Sequence, residues 1–239
     1  MAIDRRRFIQ ALAGLLAGFS DTESNATQQW TGADTVIRQR ACKIFGIGGA
    51  GCNFVIALNS DAVFNKNHLT TEFIGIDLGK NSLRGVKAAN RASPDRRSIK
   101  TVALSQFAKS RINHNHAEVL QMREALRPML VDAEIVILLA GTAGSTGSSV
   151  TPIMARLAHE MGVMTVVAIT TPHEGEGEIR VHRSAVAVQT LKREANSVAC
   201  FSSQELMKEL PDLITQNDFH EIQNQRIFAY IRDLSRTYL

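Results

Sequence analysis

Two short glycine-rich loops, each set between an apolar run and a segment of helical pattern, constrain this chain more than any other feature. Gly46-Ile47-Gly48-Gly49-Ala50-Gly51 closes the apolar run that starts at Ala41, and Gly141-Thr142-Ala143-Gly144-Ser145-Thr146-Gly147-Ser148-Ser149 follows the run from Glu134 to Ala140. A strand that feeds a glycine turn and then a helix leaves N–H groups unpaired at the helix's positive end, where an anion can approach the main chain. The hydroxyls of the second loop add donors and make a second anion nest. A dinucleotide fingerprint needs only one such loop, after its first strand. Two loops at the carboxyl ends of strands in one sheet fit a nucleotide polyphosphate held between them.

The flanking pattern predicts the rest of the architecture. From Arg38 onward, short apolar runs alternate with helical segments, the pattern of a parallel sheet with crossover helices. Strands are expected at Ala41 to Ile47, Glu72 to Ile76, Glu134 to Ala140, Met164 to Ile169 and Ser197 to Phe201. Helices are expected after Gly51 (carrying Phe54, Val55 and Leu58), over Ala117 to Met129, Val150 to Met161 and Glu178 to Ala195, and through Gln204 to Leu239. The fold class is therefore α/β: a three-layer, largely parallel Rossmann-like sheet with helices on both faces. Residues 38–239 form that domain and residues 1–37 an N-terminal extension.

Composition narrows the function classes. Aromatic residues are 5% of the chain with a single Trp, which leaves no stacking platform for bases, and the net charge of +4 is too small to argue for nucleic acid. Cys42, Cys52 and Cys200 are widely spaced in apolar runs, the usage of reduced, buried thiols with no metal-ligand spacing. His114 and His116 have no third ligand nearby in sequence, and no metal site is expected there. Residues 5–19 combine Arg5, Arg6 and Arg7 with a short apolar run. That run is too short to span a bilayer. It reads as a twin-arginine-like export signal, as an in-plane membrane-touching helix with Phe8, Leu12, Leu15 and Phe19 on one face, or as a plain extension. Ser20 to Thr31 follows as a polar linker.

Three functional readings follow from these residues. One is a nucleotide-binding protein that uses both loops. A second is an NAD(P)-linked oxidoreductase that uses Gly46 to Gly51, with Asp77 at the end of the second strand as the ribose-binding acid; it gives Gly141 to Ser149 no role. A third is a degenerate structural module without nucleotide.

The residues of the loops also carry a resemblance. Lys43 to Asn53 resembles the first glycine loop of the FtsZ family, and Ala140 to Pro152 lines up without a gap on that family's tubulin signature. Thr165 to Arg180 resembles the next strand and its Thr-x-Pro-Phe-x-x-Glu-Gly-x-x-Arg loop, with His173 replacing the Phe. The resemblance implies an FtsZ-like member of the tubulin/FtsZ GTPases, binding GTP or GDP with Mg2+ as the attendant ion. By the same resemblance Gly48, Gly49, Ala50, Gly51 and Asn53 would meet the phosphates, with the Asn53 side chain near the guanine. Gly144, Ser145, Thr146 and Gly147 would hold the α- and β-phosphates, Glu176 would accept from the ribose hydroxyls and Arg180 would lie near the nucleotide. Phe219 and Gln223 match the family's aromatic and base-reading pair, with Asn224 as a rival for the second. Self-association or a longer FtsZ-like partner, a role in cell division or a membrane-associated cytoskeleton, and a cytoplasmic location are implied as well; export would leave a GTPase without GTP.

Departures from the family pattern temper these expectations. Ala143 and Ser145 replace glycines, and added Cβ atoms are expected to strain the loop by roughly 1 kcal/mol each wherever φ is positive. Asp77-Leu78-Gly79 moves the acid that follows the second strand. Ser110 to His116, at the place of the γ-phosphate loop, contains no glycine. The catalytic residues are unassigned, and the chain up to Leu239 contains no counterpart of the acidic loop that follows the family's central helix. Hydrolysis is therefore expected to be weak or to depend on a partner subunit.

Overall fold

The computed structural model describes residues 41–60, 70–94, 96–108, 115–210 and 214–238. The N-terminal extension, with its arginines and apolar run, lies outside them, as do residues 109–114 of the His-containing loop. Chain order gives β1 (Ala41–Ile47), α1 (Gly48–Ser60), β2 (Thr70–Asp77), α2 (Asn81–Ala92), β3 (Lys100–Ala103), α3 (His116–Leu130), β4 (Ile135–Gly141), α4 (Ser145–Glu160), β5 (Met164–Thr171), α5 (Glu178–Glu194), β6 (Ser197–Ser202), α6 (Ser203–Glu209) and α7 (Gln216–Tyr238). The six strands form one sheet in the order β3-β2-β1-β4-β5-β6, and every pairing is parallel.

Strand alternation divides the core between two faces. Cys42, Ile44, Ile137 and Leu139 pack with Phe54 and Val55 of α1, Leu83 and Val86 of α2, and Ile227, Tyr230 and Ile231 of α7. Phe45, Ile47, Val136 and Leu138 point the other way, onto Met122 and Leu126 of α3, Val150 and Met154 of α4, and Leu191 of α5. A strand covered on both faces has no polar side, which is why β4 reads as the unbroken run Ile-Val-Ile-Leu-Leu-Ala. Lys43 is the buried exception in β1. Its ammonium donates to the carbonyls of Met129 (3.0 Å) and Val131 (2.7 Å), closing the C-terminal end of α3.

Four departures from the sequence expectation have physical causes. β3 and α2 were not anticipated. β3 is a four-residue edge strand of exposed and half-buried residues, held through Asn90, whose side chain bonds both the N–H and the carbonyl of Ile99. α4 begins at Ser145 rather than Val150, so half of the small-residue loop is helix. The C-terminal stretch is two helices, α6 and α7, with Pro211 between them; proline restricts the preceding residue and withholds an N–H.

Candidate functional site: a crevice between β1 and β4

The chain winds outward in one direction from β1 through β2 to β3 and in the other from β4 to β6, so β1 and β4 flank the switch point. In open α/β sheets ligands bind there, beyond the carboxyl ends of the strands. Both glycine loops meet at this point. Gly48 has φ +74°, a left-handed conformation in which glycine pays no Cβ penalty. A Cβ there would lie 3.3 Å from Gly147 N and from Thr146 Cβ, so the first loop rests directly on the start of α4. Gly51 and Gly147 are demanded by close approach: a Cβ on either would penetrate a strand carbonyl, that of Leu139 or that of Gly141. Ala50 faces Gly141 across the same gap.

The second loop leaves three amides outside the helical ladder. The first backbone bond of α4 runs from Ser148 N–H to Gly144 C=O, so the amides of Ser145, Thr146 and Gly147 precede the helical ladder. Gly144 itself is exposed, at φ −81°, and a Cβ there would meet nothing nearer than 3.8 Å. The expected strain at Ala143 and Ser145 is absent. Among the described residues the one non-glycine with positive φ is Asp132, so both side chains stand on ordinary backbone and the loop is not distorted by them.

Two further hydrogen-bonded ties fix the crevice. Thr146 Oγ1 donates to Asp77 Oδ1 at 2.6 Å, joining the loop after β4 to the end of β2; both residues are buried. Asp77 therefore has one carboxylate oxygen bonded to the opposite loop, which is not the free ribose acceptor that the dinucleotide reading requires. On the other side Thr142 donates N–H and hydroxyl to Thr170 C=O, each at 2.9 Å, and lies 2.5 Å from Ser184 Oγ of α5. Arg183, half-buried beside it, places Nη1 3.5 Å from the carbonyl oxygen of Ala143. Burial, with the Asp77 charge adding to it, pushes the Cys52 thiol up to about 12, which keeps it neutral behind the first loop.

The sequence-assigned residues distribute unevenly around this crevice. Gly48, Gly49, Ala50 and Gly51 line one side, Gly144, Ser145, Thr146 and Gly147 the other, and Asn53 is exposed in the second turn of α1. Glu176 and Arg180 follow β5 and face one another, Arg180 Nη1 to Glu176 Oε2 at 3.4 Å; Glu176 Oε1 also accepts from His173 N–H at 3.3 Å. Gln223 lies on α7. It is buried, and its amide donates to Ser203 Oγ at 2.9 Å, which ties α7 to α6 and leaves the neighbouring Asn224 half-exposed. Sequence reasoning passed over Thr142, Ser184 and Arg183; the available signal was a second arginine three residues after Arg180 on the same helix face. The described residues contain no group of three metal-ligating side chains and no helix long and apolar enough to cross a membrane.

A six-stranded parallel sheet with helices on both faces and two glycine turns at its switch point has the architecture of a Rossmann-like α/β nucleotide-binding domain. The chain belongs to the tubulin/FtsZ family: residues 41–211 match the sequence profile of that family's GTPase domain. Cell division protein FtsZ of Neisseria gonorrhoeae is 27% identical over 200 residues, covering 78% of this chain and 45% of the relative. Cell division protein FtsZ 1 of Archaeoglobus fulgidus is 24% identical over 202 residues, covering 84% and 51%. The chain thus spans about half the length of the curated relatives it matches. Among solved structures, an empty FtsZ dimer from M. jannaschii superposes with a TM-score of 0.65 at 16% identity, covering 83% of this chain and 55% of that one. CetZ2 from Haloferax volcanii, solved as a GTPgS-bound protofilament, gives a TM-score of 0.64 at 18% identity, covering 82% and 58%.

Proposed function

We propose that the chain binds GTP or GDP in the crevice between β1 and β4. The polyphosphate would lie across the amides of Gly48 to Gly51 and Gly144 to Gly147, with Glu176 toward the ribose and Asn53 toward the base. One observation carries this reading: two loops from non-adjacent parts of the chain meet glycine against helix start, and Gly144 beside them is exposed. A bound guanine nucleotide would supply the charged phosphates that unpaired amides and helix dipoles attract. Mg2+ usually binds through one or two carboxylates and substrate phosphates. Asp77 is the carboxylate bonded to the signature loop, and it would face such an ion through water.

Hydrolysis in this reading is weak or depends on a second subunit. Its support is the state of the nearby acids, since Asp77 is bonded to Thr146 and Glu176 to His173 and Arg180. Neither is a free base for an attacking water. The cellular role proposed is that of an FtsZ-like protein of the cytoplasm, acting in division or cytoskeletal regulation by self-association or beside a longer FtsZ-like chain. Residues 5–19 would supply the membrane contact.

Calorimetry with GTP, GDP, ATP and NAD in turn tests the ligand, and heat from guanine nucleotides alone is the expected result. Binding of NAD alone would overturn the reading, and no binding of any of the four would favour a structural module. Phosphate release measured for the chain alone and with an added FtsZ tests the dependence on a partner.

A further inference from the structure

We infer that Arg183 is a positioning residue for the second phosphate nest, acting through the peptide between Ala143 and Gly144; the inference rests on the nucleotide reading above. Arg183 is half-buried on α5, and its Nη1 lies 3.5 Å from the Ala143 carbonyl oxygen, longer than a good hydrogen bond but close enough for the guanidinium charge to attract the carbonyl dipole. In a trans peptide the carbonyl and the following N–H point in opposite directions. The structure contains no cis peptide among the described residues. A carbonyl drawn toward α5 therefore turns the Gly144 N–H away from α5. The sheet order puts β5 and β6, on which α5 packs, on one side of β4 and β1 on the other; the inferred role has the Gly144 N–H turned toward the crevice.

The neighbouring contacts explain why the arginine can hold this position. Ser184, the next residue, is buried against Thr142, whose N–H and hydroxyl are both anchored on Thr170. The first turns of α5 are thereby clamped to the loop, and Arg183 is carried to the Ala143 carbonyl. Arg180, one turn earlier, is more than half exposed and pairs with Glu176 instead. The guanidinium also adds a fixed positive charge behind the peptide that borders the second nest. Fixed positive charge near the nest favours phosphate over water without touching it.

The test uses the full chain, Arg183→Met and Arg183→Lys. The Gly144 amide resonance of the nucleotide-free 15N-labelled protein reads peptide orientation, and GDP titration by calorimetry reads the consequence. Arg183→Met is expected to move the Gly144 resonance and to weaken GDP on the order of tenfold, with an unchanged melting temperature of the free protein. Arg183→Lys, which keeps a donor and a charge, is expected to restore most of that affinity. A Gly144 resonance unmoved in Arg183→Met, or GDP affinity equal to wild type, would overturn the inference. Should Arg183→Met not fold, Arg183→Gln, which keeps a donor and removes the charge, takes its place, and an Arg183→Gln protein identical to wild type in both readouts overturns the inference equally. Failure of the wild-type chain to bind GDP would instead sink the nucleotide reading, while the Gly144 resonance would still report on the positioning.

Discussion

Gly144 and Gly147 stand three residues apart in one loop, yet they serve different ends. Gly147 has no room for a side chain, because a Cβ would enter the Gly141 carbonyl, whereas a Cβ on Gly144 would make only an ordinary contact, 3.8 Å from the Gly141 oxygen, at an ordinary φ. Gly147→Ala is expected to destabilise the fold by about 3 kcal/mol, as overpacking against rigid backbone does. Gly144→Ala is expected to leave the urea midpoint unchanged while narrowing the phosphate site and weakening GDP. Urea unfolding and GDP calorimetry on the two variants check this division, and equal midpoints would refute it. The thiols offer another residue-scale test. Burial raises both Cys42 and Cys52 from 9.0 to about 12, so at pH 8 both are protonated. Iodoacetamide at that pH is expected to leave them unlabelled in the native protein and to label both after unfolding.

At the scale of elements, helix ends decide more than helix middles. α3 opens on a reciprocal capping box between Asn115 and Glu118 and closes on the Lys43 ammonium reaching across from β1. Hydrogen bonds from a charged donor contribute about 1.5–3 kcal/mol. Lys43→Met is accordingly expected to cost about 2 kcal/mol of unfolding free energy by urea denaturation, with GDP affinity unchanged because the contact lies at the opposite end of β1 from the crevice. A loss of GDP affinity in that variant would show that the sheet transmits the change. α7 is attached to the rest through Gln223 and Ser203 and through the packing of Ile227, Tyr230 and Ile231. Its amide therefore acts as a fastening between helices before it acts on any ligand.

Over the whole molecule, the loops after β1, β2 and β4 are held by few direct ties, and a bound nucleotide would bridge them. At a hundred times its Kd a ligand stabilises the native state by about 2.7 kcal/mol. For a domain of this size that corresponds to roughly 5–10 °C in the melting temperature. The pH profile has a worked sign. Cys42 and Cys52 bind protons more tightly folded than unfolded, so their contribution is intact below pH 9 and is lost as pH rises toward about 12. Stability is expected to fall through that window by up to about 1.4 kcal/mol per pH unit for each thiol, and urea midpoints in a pH series measure it. A flat profile to pH 11 would mean that neither thiol is held protonated by the fold.

How much was legible in the sequence differs between the fold and the site. The parallel sheet was legible because strands buried on both faces are continuous apolar runs, as in β1, β4 and β5, and because glycine turns mark strand-to-helix junctions locally. β3 was not, since a four-residue edge strand is too short to show a period and is held by a side-chain contact, Asn90 on the N–H and carbonyl of Ile99; nor was α2. The two glycine loops could be read from residue type and order alone; glycines and the flanking apolar runs carry that information within a few residues. Side-chain roles could not be read in this way. Asp77 resembled a ribose acid in isolation and is bonded to Thr146, Gln223 matched a base reader and is bonded to Ser203, and Arg183 had no assigned role and lies against Ala143. Each of those assignments depends on a partner 20 to 69 residues away in sequence. Local pattern sets the backbone, because its hydrogen bonds and dihedrals are short-range. Which side chain meets which partner is settled only when the sheet order brings distant loops to one end of the strands.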